Sequence, residues 1–207
     1  MGDYLTLAKA LENCAQRARR EPLTLGDVLD SIGEASYSFI CIILTLPFLQ
    51  PISLGPLATI GGLTFAALGW QWLRGHAYPV LPARVRAARI NANSWDVLLG
   101  VCLKILRFCQ HFTRARFSAW VSGNRGRRVA GLIIIIAGLL MSVPFFGLPF
   151  NNLLPALAIL FVCIAELERD GLMIFIAFGW LIITVVYFTF VLAMLWFLGE
   201  QALAYFR

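Results

Sequence analysis

The sequence predicts an all-α integral membrane protein. Two proline-broken helical hairpins, re-entrant or fully spanning, form an internal repeat; an interfacial amphipathic helix lies between them and a transmembrane helix follows. Three observations predict this. Hydrophobic residues make up 60% of the chain and charged residues 14%, against about 45–50% and about 25% in an ordinary soluble domain. Three stretches, Ala35 to Leu73, Val129 to Ala165 and Gly171 to Gly199, contain no Asp, Glu, Lys or Arg, and each exceeds the roughly 20 residues that carry a helix across a bilayer core of about 30 Å. Two of these stretches are broken by proline clusters, and the third is unbroken.

Residues 1–34 form a charged leader. Leu5, Ala8 and Leu11 recur at helical spacing against Lys9, Glu12 and Arg19, the pattern of a surface helix. Pro22 interrupts it, and Thr24 with Asp27 offers a capping-box start for a short helix over about Leu25 to Gly33. Because the first long apolar stretch begins only after Arg17, Arg19, Arg20, Asp27, Asp30 and Glu34, no cleavable leader is expected, and the first hairpin targets the chain itself.

Residues 35–73 are the first hairpin. Pro47, Pro51, Gly55 and Pro56 allow no intact helix through the middle. The arm before the break, Ala35 to Leu46, is only about 18 Å long at 1.5 Å per residue, too short to cross. Residues 129–170 repeat the design: an arm from Gly131 to Val143, a break at Pro144, Gly147, Pro149, Asn151 and Asn152, and a returning arm from Leu153 to Ala165. Pro47-Phe48 matches Pro144-Phe145, and 144 − 47 gives a repeat of 97 residues. Paired, short, proline-interrupted apolar segments point to a transporter-like site made from broken helices. Two plain transmembrane hairpins with prolines in their outer turns are the alternative.

Residues 74–128 hold eleven of the seventeen basic residues and one acid, Asp96. Within them, Trp95 to Trp120 is apolar at Val97, Leu98, Val101, Ile105, Leu106, Phe108 and Phe112, while Lys104, Arg107, His111 and Arg114 recur at three- and four-residue spacing. This suits a helix lying at the interface, since a Lys or Arg at the bilayer centre costs about 2.5–3.5 kcal/mol. The net charge of +6 therefore reads as attraction to anionic lipid headgroups rather than to nucleic acid, because the basic residues flank apolar runs. By the positive-inside rule the leader and the basic segment are cytoplasmic, and both hairpins enter from and return to that side as parallel repeats. If Trp95 to Trp120 crosses, the repeats are inverted. Residues 171–199, with Trp180 and Trp196 toward the ends, span the membrane, and the tail 200–207 is periplasmic.

Cys14, Cys41, Cys102, Cys109 and Cys163 form no C-x-x-C pair, and His76 and His111 are far apart, so no metal, disulfide or cofactor is expected. No G-x-S-x-G, H-E-x-x-H or glycine-rich phosphate loop is present, and the chain is not expected to be an enzyme.

At Leu23 to Glu34, at Leu46-Pro47-Phe48, and above all at Asn151-Asn152-Leu153-Leu154-Pro155-Ala156-Leu157-Ala158-Ile159-Leu160 running on to Leu167-Glu168-Arg169-Asp170-Gly171, the chain resembles the ExoD family. The resemblance runs from about Leu23 to the last helix. It implies a bacterial inner-membrane protein linked to exopolysaccharide synthesis and to growth under alkaline conditions, with no established enzymatic activity and no catalytic residues to carry over.

Candidate polar-path residues are Gln50 and Ser53 at the first break, Asn151 and Asn152 at the second, Gln71 and Arg74 closing the first hairpin, and Glu166 and Arg169 closing the second. An amide can satisfy broken-helix backbone or hold a solute; turn chemistry and helix capping are the structural alternatives. Small residues at Ala58, Gly61, Gly62, Ala66, Ala67 and Gly69 permit close helix contact within the chain or in a homodimer. The expected function is a small transporter or flux-supporting protein for an ion, proton or lipid-linked sugar. Its rival is a non-transporting scaffold that recruits polysaccharide-synthesis enzymes through Arg84, Arg86 and Arg89.

Overall fold

The computed structural model describes residues 24–52, 54–76, 78–88, 123–144 and 148–205, with Asn13, Cys14, Gln16, Gly100, Lys104 and Val121 as single positions. The expected leader helix over residues 1–20 and the amphipathic helix over Trp95 to Trp120 lie almost wholly outside them. Every regular element among the described residues is a helix.

Helix α1 (Leu25–Ile32) starts at the expected capping box: the Thr24 hydroxyl accepts from the Asp27 amide, and the Asp27 carboxylate accepts from the Thr24 amide. Helix α2 (Ser36–Thr45) runs into a 3₁₀ turn over Leu46–Leu49, and the chain turns extended at Gln50. Helix α3 (Pro56–Leu73) begins with proline at its first position, where the missing amide hydrogen costs nothing. The short α4 (Ala83–Arg86) is tied to α1 by the Arg86–Asp30 ion pair at 2.5 Å and by Leu25 N–H donating to the Ala88 carbonyl at 3.0 Å.

Helices α5 (Gly123–Ser142), α6 (Leu153–Glu168) and α7 (Gly171–Tyr205) complete the chain. Two boundaries drawn from charge shift here. Helix α5 starts before the expected hairpin boundary at residue 129 and carries Arg125, Arg127 and Arg128, because basic side chains are good helix formers that mark where water begins rather than where a helix ends. Helix α7 likewise runs past Gly199, through the expected tail, to Tyr205, because Glu200, Gln201 and Ala202 are good helix formers.

Tyr37 and Phe48 set the first hairpin. The Tyr37 ring stacks on Trp72 at 5.3 Å and its hydroxyl donates to the Tyr78 carbonyl, while Phe48 meets Phe65 edge-on and fills the space where Gly61 lacks a side chain. The arm therefore folds back along α3.

Among the described residues, helices α3 and α5 make the closest crossing. A β-carbon on Gly62 would come within 2.5 Å of the Gly138 carbonyl oxygen, and one on Gly69 within 2.8 Å of the Gly131 carbonyl oxygen. The pairs 62 with 138 and 69 with 131 run antiparallel, seven residues apart on each helix. Continuing the register by six residues puts Pro56 level with Pro144, so both proline breaks lie at one end of the bundle, the tip end. The opposite end, where Trp72 and the start of α5 lie, is the base. The small-residue stripe of the first hairpin is thus spent within the chain at Gly61, Gly62 and Gly69.

Gly171–Leu198 is long and apolar enough to cross a membrane, and only 17% of its most apolar window is buried. A soluble protein's core helix would be mostly covered; here Phe175, Phe178, Ile182, Val186 and Phe190 are exposed. On α3 the outward residues Leu57, Ile60 and Leu63, and on α5 Leu132, Ile136 and Leu139, are exposed as well. An outside this apolar is compatible with hydrocarbon and costly in water.

Candidate functional site

The second break is the most unusual part of the described chain. Phe150 sits at φ 63, a left-handed conformation that a bulky side chain rarely adopts. Its carbonyl accepts from the Leu154 amide, and the Tyr187 hydroxyl donates to the Pro149 carbonyl at 2.6 Å. Asn151 and Asn152 follow, 4% and 1% exposed.

Asn152 precedes the first residue of α6 but does not cap it. Its backbone is already helical, at φ −94 and ψ −36, whereas a capping residue is extended so that its side chain can reach the free amides of the first turn. The carboxamide oxygen and nitrogen of Asn152 are both buried, with no hydrogen-bond partner among the described residues. Pro155 stands in the same first turn of α6, where a helix tolerates a missing donor.

Depth along α7 locates this group. Tyr187 is 16 residues after Gly171 (187 − 171), or about 24 Å at 1.5 Å per residue, and the apolar run continues a further 11 residues to Leu198. The tip end therefore stops partway along the helix that is long enough to cross.

The other candidates divide between the two ends. Gln50 is exposed at the first break, and Ser53 lies outside the described residues. Gln71 is at the base, where its amide clasps the Val80 main chain, accepting from N–H at 2.7 Å and donating to C=O at 3.2 Å. Arg74 is exposed beside it, with its guanidinium 4.9 Å from the Trp70 ring centre. Glu166 is half-buried near the end of α6, and Arg169 is exposed and left-handed at φ 52, closing that helix. Asn152 and Glu166 are 14 residues apart on α6 (166 − 152), about 21 Å, so the tip amides and the turn charges do not share one pocket. Arg84 and Arg86 of the basic segment are exposed, Arg86 in its pair with Asp30; Arg89 lies outside the described residues.

At the base, Asp170 fits the helix-capping alternative for the turn charges, while the burial of Ser36 and the packing of Cys41 and Cys163 escaped the sequence reading. Asp170 is fully buried and its carboxylate accepts from the Leu172 amide, capping α7; Asp-Gly ahead of an apolar run was the available signal. Burial, and then the Asp170 carboxylate, push the neighbouring Glu168 above the usual carboxylate range. Ser36 is fully buried at the start of α2, with no partner for its hydroxyl among the described residues. Cys41 of α2 and Cys163 of α6 are both fully buried where the two helices pack together, a packing no local spacing could reveal. Among the described residues no three His, Cys, Asp or Glu side chains converge to hold a metal ion.

A family described as "Exopolysaccharide synthesis, ExoD" matches residues 7–190. The chain is similar to "Protein ExoD" of Rhizobium meliloti (strain 1021), 29% identical over 201 residues that cover 97% of this chain and 83% of that protein. No solved structure matches.

Proposed function

The chain belongs to the ExoD family, whose name ties it to exopolysaccharide synthesis, and from that premise we propose a small membrane transporter or flux-supporting protein. It lies in the bacterial inner membrane, crosses it by α7, and inserts two re-entrant hairpins from the cytoplasmic side as parallel repeats 97 residues apart. A polar path opens where the two broken tips meet.

One observation carries this reading: a fully buried, unpartnered Asn152 amide at a helix break partway along an apolar helix. Backbone broken at that depth is tolerated only against protein or water, and polar side chains inside a membrane mark pathways more often than packing. The arrangement of the tips also supports parallel insertion, since the glycine register brings both proline breaks to one end.

The test is complementation of exopolysaccharide output in a strain lacking the protein. Asn152→Ala is expected to abolish output at normal protein level, and Arg169→Ala to weaken the base-end exit. Full complementation by both variants would falsify the path. The scaffold reading predicts the reverse, with charge reversal at Arg84 disabling and the tip variant harmless.

A further inference from the structure

The tip offers hydrogen bonds and no charge. The apolar stretches that build the two hairpins and α7 hold no Asp, Glu, Lys or Arg, and Glu166, the nearest charged residue along α6, is about 21 Å from Asn152 at 1.5 Å per residue. An ion placed there would be desolvated without a countercharge, at a cost that normally forces neutralisation. A cation would also need several oxygens, and an anion only donors.

Asn152 presents one of each. Its Nδ2 is an unused donor and its Oδ1 an unused acceptor, both sealed from solvent. A hydroxyl matches this pair, because one O–H group donates and accepts at once, and adjacent hydroxyls on a ring satisfy both ends of a carboxamide side by side. We propose that Asn152, at the head of α6, is a recognition point for the hydroxyls of an uncharged saccharide. The inference rests on the polar-path reading and selects among its solutes: a neutral sugar unit, rather than a proton or metal cation. The adjoining Pro149–Phe150 segment is held by the Tyr187 hydroxyl on the Pro149 carbonyl and by the Leu154 amide on the carbonyl of the left-handed Phe150.

The experiment uses the full chain purified in dodecylphosphocholine, a detergent without sugar, with methyl β-D-glucopyranoside as probe and saturation-transfer difference NMR as readout. The wild type is expected to bind. Asn152→Leu, similar in volume but without donor or acceptor, is expected to weaken binding about tenfold, equal to about 1.4 kcal/mol. Asn152→Asp, which desolvation keeps protonated so that it offers one O–H donor and one acceptor in place of the amide, is expected to fall between them. Equal binding by wild type and Asn152→Leu overturns the proposal, as does no binding by either. A bridging water only, shown by unchanged glucoside signals alongside a lower melting temperature for Asn152→Leu, overturns it too. If Asn152→Leu loses the glucoside yet complements exopolysaccharide output in full, the recognition point stands and the transport reading falls.

Discussion

The base and the tip end of the bundle are made from the same helices and satisfy their polar groups to different degrees. At the base, Gln71 clasps Val80, Tyr37 reaches the Tyr78 carbonyl, Asp170 caps α7 and Arg86 pairs with Asp30. At the tip, Asn152 keeps both amide atoms unpartnered among the described residues, and Phe150 holds a strained backbone. A buried polar group without a partner costs about 1–3 kcal/mol, and a strained dihedral about the same. Among the described residues the base holds a buried hydroxyl without a partner at Ser36 and a left-handed residue at Arg169, but only at the tip do two unpartnered atoms of one side chain stand two residues from a left-handed aromatic.

The crossing that joins the two ends gives the largest expected effect. Gly138→Val would drive a branched side chain into the Gly62 carbonyl and the Ala66 amide, backbone that cannot step aside. The expected loss exceeds about 4 kcal/mol, read as absent folded protein on size-exclusion chromatography in detergent. Normal yield and melting temperature would show that the two hairpins part easily and that the base is no firmer than the tip.

Next comes the clasp. Gln71→Leu removes two partly exposed hydrogen bonds and is expected to cost about 1 kcal/mol in detergent thermal unfolding, while exopolysaccharide output persists. A loss of output at unchanged stability would move Gln71 from the structural end to the functional one.

The smallest effect is electrostatic and concerns Glu168. Its carboxyl titrates above the ordinary value because of burial and Asp170, so the folded state favours the protonated form. The associated stability is complete below the unfolded carboxylate value and is lost as pH rises through the raised one. Glu168→Gln, permanently neutral, should flatten the melting temperature over that acidic window and leave it slightly higher at neutral pH. A steeper pH dependence in the variant would mean that the ionised carboxylate is the stabilising form.

Much of the fold was legible because hydrocarbon and proline act locally. Pro47, Pro51 and Pro56 remove donors and force breaks wherever the chain goes, so the interruption between Thr45 and Pro56 could be read in advance, though not its 3₁₀ form. The Thr24–Asp27 capping box lies within four residues and was equally visible. Asn151 and Asn152 stood out as polar residues in an apolar stretch. Their isolation from Glu166 and Arg169 did not, because helix length separates residues that a sequence places in one hairpin. Gln71 looked like a path residue, since nothing local shows that Val80 returns to meet it.

Composition, charge spacing and proline positions alone determined that this chain is helical, strongly apolar and twice broken, with one unbroken helix of spanning length. Tertiary structure alone decided that Gly62 meets Gly138, that α2 packs on α6, and that Asn152 is left without a partner among the described residues. The physical reason is that periodicity fixes which face of a helix a residue occupies, while the choice of facing helix depends on packing between segments far apart along the chain.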